Sequence, residues 1–138
     1  MKLIAGPFVR LFVSRADTEK LLNSFITLFD GKIDFQFDHL PSESTVYSIS
    51  SAIGKFSVTS TDKENPDFIV KTRAVYVVDN IDDILLLAKQ KRIEIAQDKT
   101  PVSVGFQSRL RLSEDNYIEI VQWSDEHITK LEKVGFFD

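Results

Sequence analysis

The feature that most restricts the fold of this chain is an internal repeat. Each half begins with a β-rich run, at residues 8–14 and again at residues 73–78. Each run is followed by a residue or dipeptide suited to capping a helix, Asp17 and Asp79-Asn80, and then by apolar residues at helical spacing. The offset between the halves is about 60 residues, which is typical of a duplicated supersecondary unit. The pattern therefore predicts the same unit twice.

Short β-rich segments follow each predicted helix. In the first half they lie near residues 33–37, 46–51 and 55–60, and in the second near residues 92–95, 105–112 and 117–123, with a turn around Lys99-Thr100-Pro101. Both halves thus read β-α-β-β-β, an α+β fold. A ferredoxin-like sandwich is the alternative, because it also combines two helices with antiparallel strands. The extra strand in each half favours the duplication.

The last fifteen residues are predicted to form a short helix with Ser124 as its N-cap. Its apolar residues Ile128, Leu131 and Val134 would be unfavourable in water. We expect this C-terminal helix to cover part of the sheet or to form a dimer contact.

Composition excludes several functional classes. The net charge of −4 disfavours nucleic acids and anionic membranes as partners. The absence of cysteine excludes disulfides and thiolate ligands. The five glycines are too far apart for a phosphate-binding loop, and the two histidines, His39 and His127, lie far apart in the sequence. The N-terminal segment is too short and too polar for a signal peptide, so we expect a cytoplasmic protein.

Three segments of the sequence resemble the vicinal oxygen chelate superfamily, which includes glyoxalase I, extradiol dioxygenases and bleomycin-resistance proteins. They are residues 114–120 (EDNYIEI), residues 76–82 (YVVDNID) and residues 17–20 (DTEK), and the resemblance extends over about residues 3–123. Asp115 stands where the family normally has a glycine before the asparagine of its acidic turn.

The resemblance implies tandem βαβββ modules that form an open, cup-shaped mixed sheet, with the short C-terminal helix added. It implies one glyoxalase-like domain over residues 1–138. Module 1 would comprise about residues 3–60, the linker residues 61–70, module 2 about residues 71–123 and the C-terminal helix residues 124–138. Such proteins commonly form homodimers.

The resemblance also implies four metal-ligand positions in the cup. In this sequence the first position is Phe8 or Arg10, and the second, in the last strand of module 1, is Ser57 or Thr59 on the same face. The third is Arg73 or, with a one-residue shift, Thr72, and the fourth is Glu119. Only Glu119 is of the usual ligand type, so we expect neither a catalytic metal nor any other cofactor.

Glu119 would need a positively charged partner if it is enclosed. We expect that partner to be Arg10 or Arg73, although both arginines could instead bind an anionic ligand. Arg109 and Arg111 are expected at a solvated edge.

The predicted function is that of a metal-free, glyoxalase-like or bleomycin-resistance-like protein that binds a small organic molecule in the cup. The missing ligands favour a non-catalytic protein, and the sequence leaves open whether it is an enzyme. One alternative is a metal-dependent lyase or dioxygenase with substitute ligands, namely Asp34, Asp38, His39 or Glu43. Another is a structural or regulatory domain without a ligand, whose cup would be filled by its own side chains. The candidate ligand-binding residues include aromatic walls as well as polar groups. They are Arg10, Phe12, Ser57, Arg73, Tyr117, Glu119 and Trp123.

Overall fold

The computed structural model describes residues 1–138, which form two compact units. The N-terminal unit is Phe8–Val70, and the C-terminal unit is Lys71–Asp138 together with Met1–Pro7. The strands are β1 (Leu3–Val13), β2 (Lys32–His39), β3 (Ser44–Ser51), β4 (Gly54–Ser60), β5 (Thr72–Val78), β6 (Glu94–Val102), β7 (Gly105–Ser113) and β8 (Asn116–Trp123). The helices are α1 (Thr18–Phe29), α2 (Asp67–Val70), α3 (Ile81–Gln90) and α4 (Asp125–Lys133).

In the N-terminal unit the strand order is β2-β3-β4-β1. Strand β1 runs parallel to β4, whereas β3 runs antiparallel to both of its neighbours. Helix α1 packs on one face of these strands, where Phe25 is buried against Ile49 and Val58. Apolar residues at helical spacing in α1 and alternating residues in the strands account for this core.

The C-terminal unit repeats this arrangement. Its order is β6-β7-β8-β5, with β5 parallel to β8, and the first residues of β1 lie beside β5. Helix α3 packs Ile81 and Leu85 against Leu110 and Ile120. The α+β fold class and the βαβββ pattern predicted from the sequence are therefore confirmed, and the ferredoxin-like alternative is wrong.

The prediction for β6 is wrong in one respect. The expected turn at Lys99-Thr100-Pro101 is part of the strand, which continues to Val102. Proline is tolerated in a strand at a sheet edge or beside a bulge. Strand β6 is the last in the order of its unit, and its pairing with β7 shifts register between Gln97 and Thr100.

The predicted helix caps differ in outcome. Asn80 caps α3 by accepting hydrogen bonds from the backbone N–H groups of Asp82 and Asp83. Ser124 caps α4, also as expected. Asp17 makes no side-chain cap bond to α1. A short 3-10 turn, Arg15–Asp17, precedes the helix, and Ser14 caps that turn by accepting a hydrogen bond from the Asp17 N–H.

The C-terminal helix is present as predicted, and it packs on its own unit. Leu131 and Phe136 are buried, and the Phe136 ring centroid lies 5.5 Å from that of Trp123 on β8. None of the four helices has the length and hydropathy needed to span a membrane.

Candidate functional site

Each unit has a strand face that points away from its main helix. In β8, Ile118 and Ile120 pack with α3, so Glu119 between them lies on the opposite face. We call this surface the Glu119 face. It comprises Glu119 and the residues that the strand register places beside it, namely Gln97 of β6, Arg109 of β7, Tyr117, Val121 and Trp123 of β8, and Thr72 and Val75 of β5.

A buried ion pair lies at the centre of the Glu119 face. The Arg109 Nη2 donates to Glu119 Oε1 at 2.8 Å, and its Nη1 donates to Gln97 Oε1 at 2.6 Å. Only 4% of the Arg109 side chain and 6% of the Glu119 side chain are exposed. A buried carboxylate without a partner would be strongly unfavourable, so this guanidinium stabilises the charge of Glu119.

This ion pair corrects one expectation from the sequence. Arg109 was expected at a solvated edge, but it is 3% exposed and pairs with Glu119. The expectation is wrong because Arg109 lies directly opposite Glu119 in the β7–β8 hairpin, on the face away from α3. The register of that hairpin is the signal that identifies the pair.

The structure distinguishes the two readings of the third ligand position. The pairing of β5 with β8 shifts register between Thr72 and Ala74, so Thr72, and not Arg73, shares the Glu119 face. Thr72 is buried and Arg73 is exposed.

The side-chain hydrogen bond from Lys71 holds the pKa of Asp115 below its usual value, and the nearby charges of Lys71, Arg111 and Arg73 lower it further.

The other predicted residues of β8 have aromatic or cationic neighbours. The Arg111 guanidinium carbon lies 5.7 Å from the centroid of the half-buried Tyr117 ring. Trp123 is buried, with His127 at 5.2 Å between ring centroids and Phe136 close by. Ligand contacts by Tyr117 and Trp123 stay a prediction.

The corresponding surface of the N-terminal unit contains three of the predicted residues together. We call it the Arg10 face, and it lies opposite the face that packs on α1. It comprises Phe8, Arg10 and Phe12 of β1, Ser57 and Thr59 of β4, Val46 and Ser48 of β3, and Phe35 and Phe37 of β2. Arg10, Phe12 and Ser57 are thus brought together, as the sequence pattern predicts for one strand face.

One hydroxyl contacts the guanidinium of Arg10, and two further hydroxyls lie in the same row of the sheet. Its Nη1 donates to Thr59 Oγ1 at 2.9 Å. Ser57 lies directly beside Arg10 in the strand register, and Ser48 lies beside Ser57. The Ser48 hydroxyl is buried without a hydrogen-bond partner. Sequence reasoning missed Ser48, whose position depends on the β3–β4 register.

The chain is similar over most of its length to several solved structures. For methylmalonyl-CoA epimerase from Mycobacterium tuberculosis the TM-score is 0.72 at 11% identity, over 94% of this chain and 95% of that chain. For a Streptomyces coelicolor methylmalonyl-CoA epimerase in complex with 2-nitronate-propionyl-CoA it is 0.71 at 9% identity, over 90% and 97%. For an uncharacterized protein from Methanosarcina mazei it is 0.64 at 20% identity, over 90% and 95%.

Methylmalonyl-CoA epimerase is a member of the vicinal oxygen chelate superfamily. The chain has the vicinal oxygen chelate fold. The fold implied by the sequence resemblance is therefore confirmed. No protein-family model matches the sequence, and no curated protein matches it.

The vicinal oxygen chelate fold implies a divalent metal, but the residues at its ligand positions do not fit one. Glu119 is the one carboxylate among them, and it is bonded to the Arg109 guanidinium. The first position is occupied by Phe8 or Arg10, the second by Ser57 or Thr59, and the third by Thr72 or Arg73. No group of three or more His, Cys, Asp or Glu side chains is placed to hold a metal ion.

The four substitute ligands considered from the sequence already have partners. Asp34 accepts a hydrogen bond from Ser50, and Asp38 accepts one from Thr45. The Nδ1 of His39 lies 2.6 Å from the Ser42 hydroxyl, and Glu43 forms an exposed ion pair with Lys63. These side chains lie in separate contacts and do not form a shared cation site.

Proposed function

We propose that this protein binds a small organic molecule without a catalytic metal, as the sequestering bleomycin-resistance proteins of the superfamily do. The observation that carries the proposal is the buried Arg109–Glu119 ion pair. A guanidinium beside the one remaining ligand carboxylate supplies positive charge there, and it also disfavours the approach of a cation. The chain is then a binding protein and not a metalloenzyme.

The Arg10 face supplies the groups that would orient the ligand. Arg10 offers a planar set of donors, Ser57 offers a hydroxyl, and Phe12 offers an apolar wall. These three residues share one face of the N-terminal unit. Three further proposed ligand contacts lie on the Glu119 face, namely Tyr117, Glu119 and Trp123. Arg73 is also a proposed ligand contact, although it is exposed.

Dye binding tests whether ligand binding depends on a metal. The neutral dye Nile red would be titrated into the full chain as purified and after treatment with EDTA, with dye fluorescence as the readout. We expect the same saturable binding in both samples. Binding that is lost after EDTA treatment and restored by a divalent cation would contradict the proposal, as would the absence of saturable binding in either sample.

The solved structures suggest one further ligand to test. The Streptomyces coelicolor enzyme is bound to 2-nitronate-propionyl-CoA. Propionyl-CoA therefore belongs in a competition experiment against Nile red. If propionyl-CoA displaces the dye from the EDTA-treated protein, acyl-CoA compounds are a ligand class for this chain.

We further propose that residues 1–138 act as a single glyoxalase-like domain that forms a homodimer in the cytoplasm. The domain would consist of module 1 (about residues 3–60), the linker (61–70), module 2 (about 71–123) and the C-terminal helix (124–138). One cooperative unfolding transition is expected for a single domain. The molar mass, measured by light scattering as the protein elutes from a size-exclusion column, tests whether it is a dimer. A monomer at micromolar concentration would contradict the proposal.

A further inference from the structure

We infer that the ligand of the Arg10 face is a flat aromatic anion, such as an aryl carboxylate. This inference rests on the proposed function and specifies the ligand class for the same site. It depends on four features of the N-terminal unit, namely a row of side chains across the sheet, the charge of the face, a buried unpaired hydroxyl and a pair of phenylalanine rings.

The row runs across four neighbouring strands. The register places Phe35 of β2 beside Ser48 of β3, Ser48 beside Ser57 of β4, and Ser57 beside Arg10 of β1. Neighbouring strands are about 4.8 Å apart, so the row is about 14 Å long. It begins with an aromatic ring, continues through two hydroxyls and ends with a guanidinium. An aryl carboxylate is complementary to the two ends of this row, because it has an aromatic ring to lie against Phe35 and an anion to pair with Arg10.

The charge of the Arg10 face favours an anion. Besides Arg10, the register places Lys32 and Lys55 on this face. The carboxylates of the four strands are Asp34 and Asp38. Asp34 accepts a hydrogen bond from Ser50, which lies on the Arg10 face in the row of Lys32 and Lys55. Asp38 is bonded to Thr45 on the other face. The strands thus contribute three cations, Arg10, Lys32 and Lys55, and one carboxylate, Asp34, to this face.

The Ser48 hydroxyl points to a ligand at the middle of the row. Ser48 is 3% exposed, and its Oγ has no hydrogen-bond partner. Buried hydroxyls are nearly always hydrogen-bonded, because an unpaired one is unfavourable. A polar substituent or carboxylate oxygen of a ligand beside Ser57 would supply the missing partner.

The phenylalanine pair accounts for the aromatic part of the ligand. Phe35 and Phe37 have nearly parallel rings, with centroids 6.3 Å apart and planes 15° apart. Both side chains are only partly buried. Phe12, at the other side of the face, is also partly buried. A flat ring can stack on such side chains at little cost in conformational entropy.

Matched probes test the inference. Isothermal titration of the EDTA-treated full chain would compare 2-naphthoate with 2-naphthamide, which has the same shape without the charge, and with acetate, which has the charge without the ring. We expect 2-naphthoate to bind at least about tenfold more tightly than 2-naphthamide, because the guanidinium favours a charged acceptor. Acetate should show no binding at the same concentrations.

Three variants locate the ligand. Arg10→Met should reduce the affinity for 2-naphthoate about tenfold, to the level of 2-naphthamide. Ser48→Ala removes a hydroxyl that has no partner, so it should leave the fold intact while weakening 2-naphthoate binding. Lys20→Met, which removes an exposed charge on α1, is the matched control and should leave the affinity unchanged.

Equal affinity for 2-naphthoate and 2-naphthamide would overturn the inference and leave the proposed function standing. Unchanged affinity in both Arg10→Met and Ser48→Ala would also overturn it. If neither naphthalene binds, the inference is wrong, and the Nile red titration separately decides whether the proposed function fails as well.

Discussion

Arg109 and Glu119 lie directly opposite each other on β7 and β8 and form an ion pair whose two side chains are almost completely buried. Gln97 extends this contact by accepting a second hydrogen bond from Arg109. Glu119, the fourth ligand position that the sequence resemblance implies, thus has a cationic partner from its own chain. The pair should therefore contribute to the free energy of unfolding and disfavour binding of a metal ion at Glu119.

Removal of one partner should destabilise the protein strongly. Arg109→Met leaves the Glu119 carboxylate buried without its guanidinium. We expect a loss of about 3–5 kcal/mol in the free energy of unfolding, as is usual when one member of a buried ion pair is removed. Chemical denaturation monitored by circular dichroism measures this loss. A change below about 1 kcal/mol, the usual value for an exposed pair, would mean that the pair is not buried in solution.

The double variant Arg109→Met/Glu119→Leu is the matched control for that loss. It replaces both charges with apolar side chains of similar size, which is often neutral or stabilising for a buried pair. We expect it to recover most of the stability lost in Arg109→Met. A double variant as unstable as the single one would show that packing at Arg109 matters more than the charge of Glu119.

His127 should make the stability depend on pH. Burial against Trp123 lowers the pKa of His127 below 6.5, and the charge of Lys130 lowers it further. The unfolded chain therefore binds this proton more readily than the folded one, so the contribution is present above pH 6.5 and is lost as the pH falls. We expect Tm to decrease from pH 6.5 downward, and less steeply in His127→Gln. Parallel profiles for the two proteins would contradict this.

The two predicted helix caps provide a paired test. Asn80→Ala removes hydrogen bonds to two backbone N–H groups and should reduce the free energy of unfolding by about 1 kcal/mol. Asp17 makes no cap bond, so Asp17→Ala should cost about 0.5 kcal/mol or less, which reflects only the interaction with the helix dipole. A larger loss in Asp17→Ala than in Asn80→Ala would reverse this assignment.

Periodicity predicted the fold because both modules bury apolar residues at regular spacing. The stripes of α1 and α3 and the alternation in β4 and β8 are local patterns that specify one buried face each. The error at Pro101 arose because proline usually marks a turn, whereas the edge position of β6 tolerates it. That tolerance depends on the number of neighbouring strands, which local sequence does not contain.

The candidate site was less predictable because it depends on register. The predicted segments 105–112 and 117–123 do not by themselves specify which residues of β7 and β8 lie opposite each other. In the structure Arg109 lies opposite Glu119, and the register shifts between Arg111 and Ser113. A one-residue change in register moves a side chain to the other face. The same uncertainty applied to Thr72 and Arg73, where a second register shift places Thr72 on the Glu119 face.

Metal content tests the central claim most directly. The purified full chain would be incubated with Mn²⁺, Fe²⁺, Ni²⁺ or Zn²⁺, passed through a desalting column and measured by plasma mass spectrometry, with Glu119→Gln treated in parallel. The Arg109–Glu119 pair predicts far less than one metal ion per chain for both proteins. One ion per chain in the wild type, lost in Glu119→Gln, would contradict it and support the metal-dependent alternative.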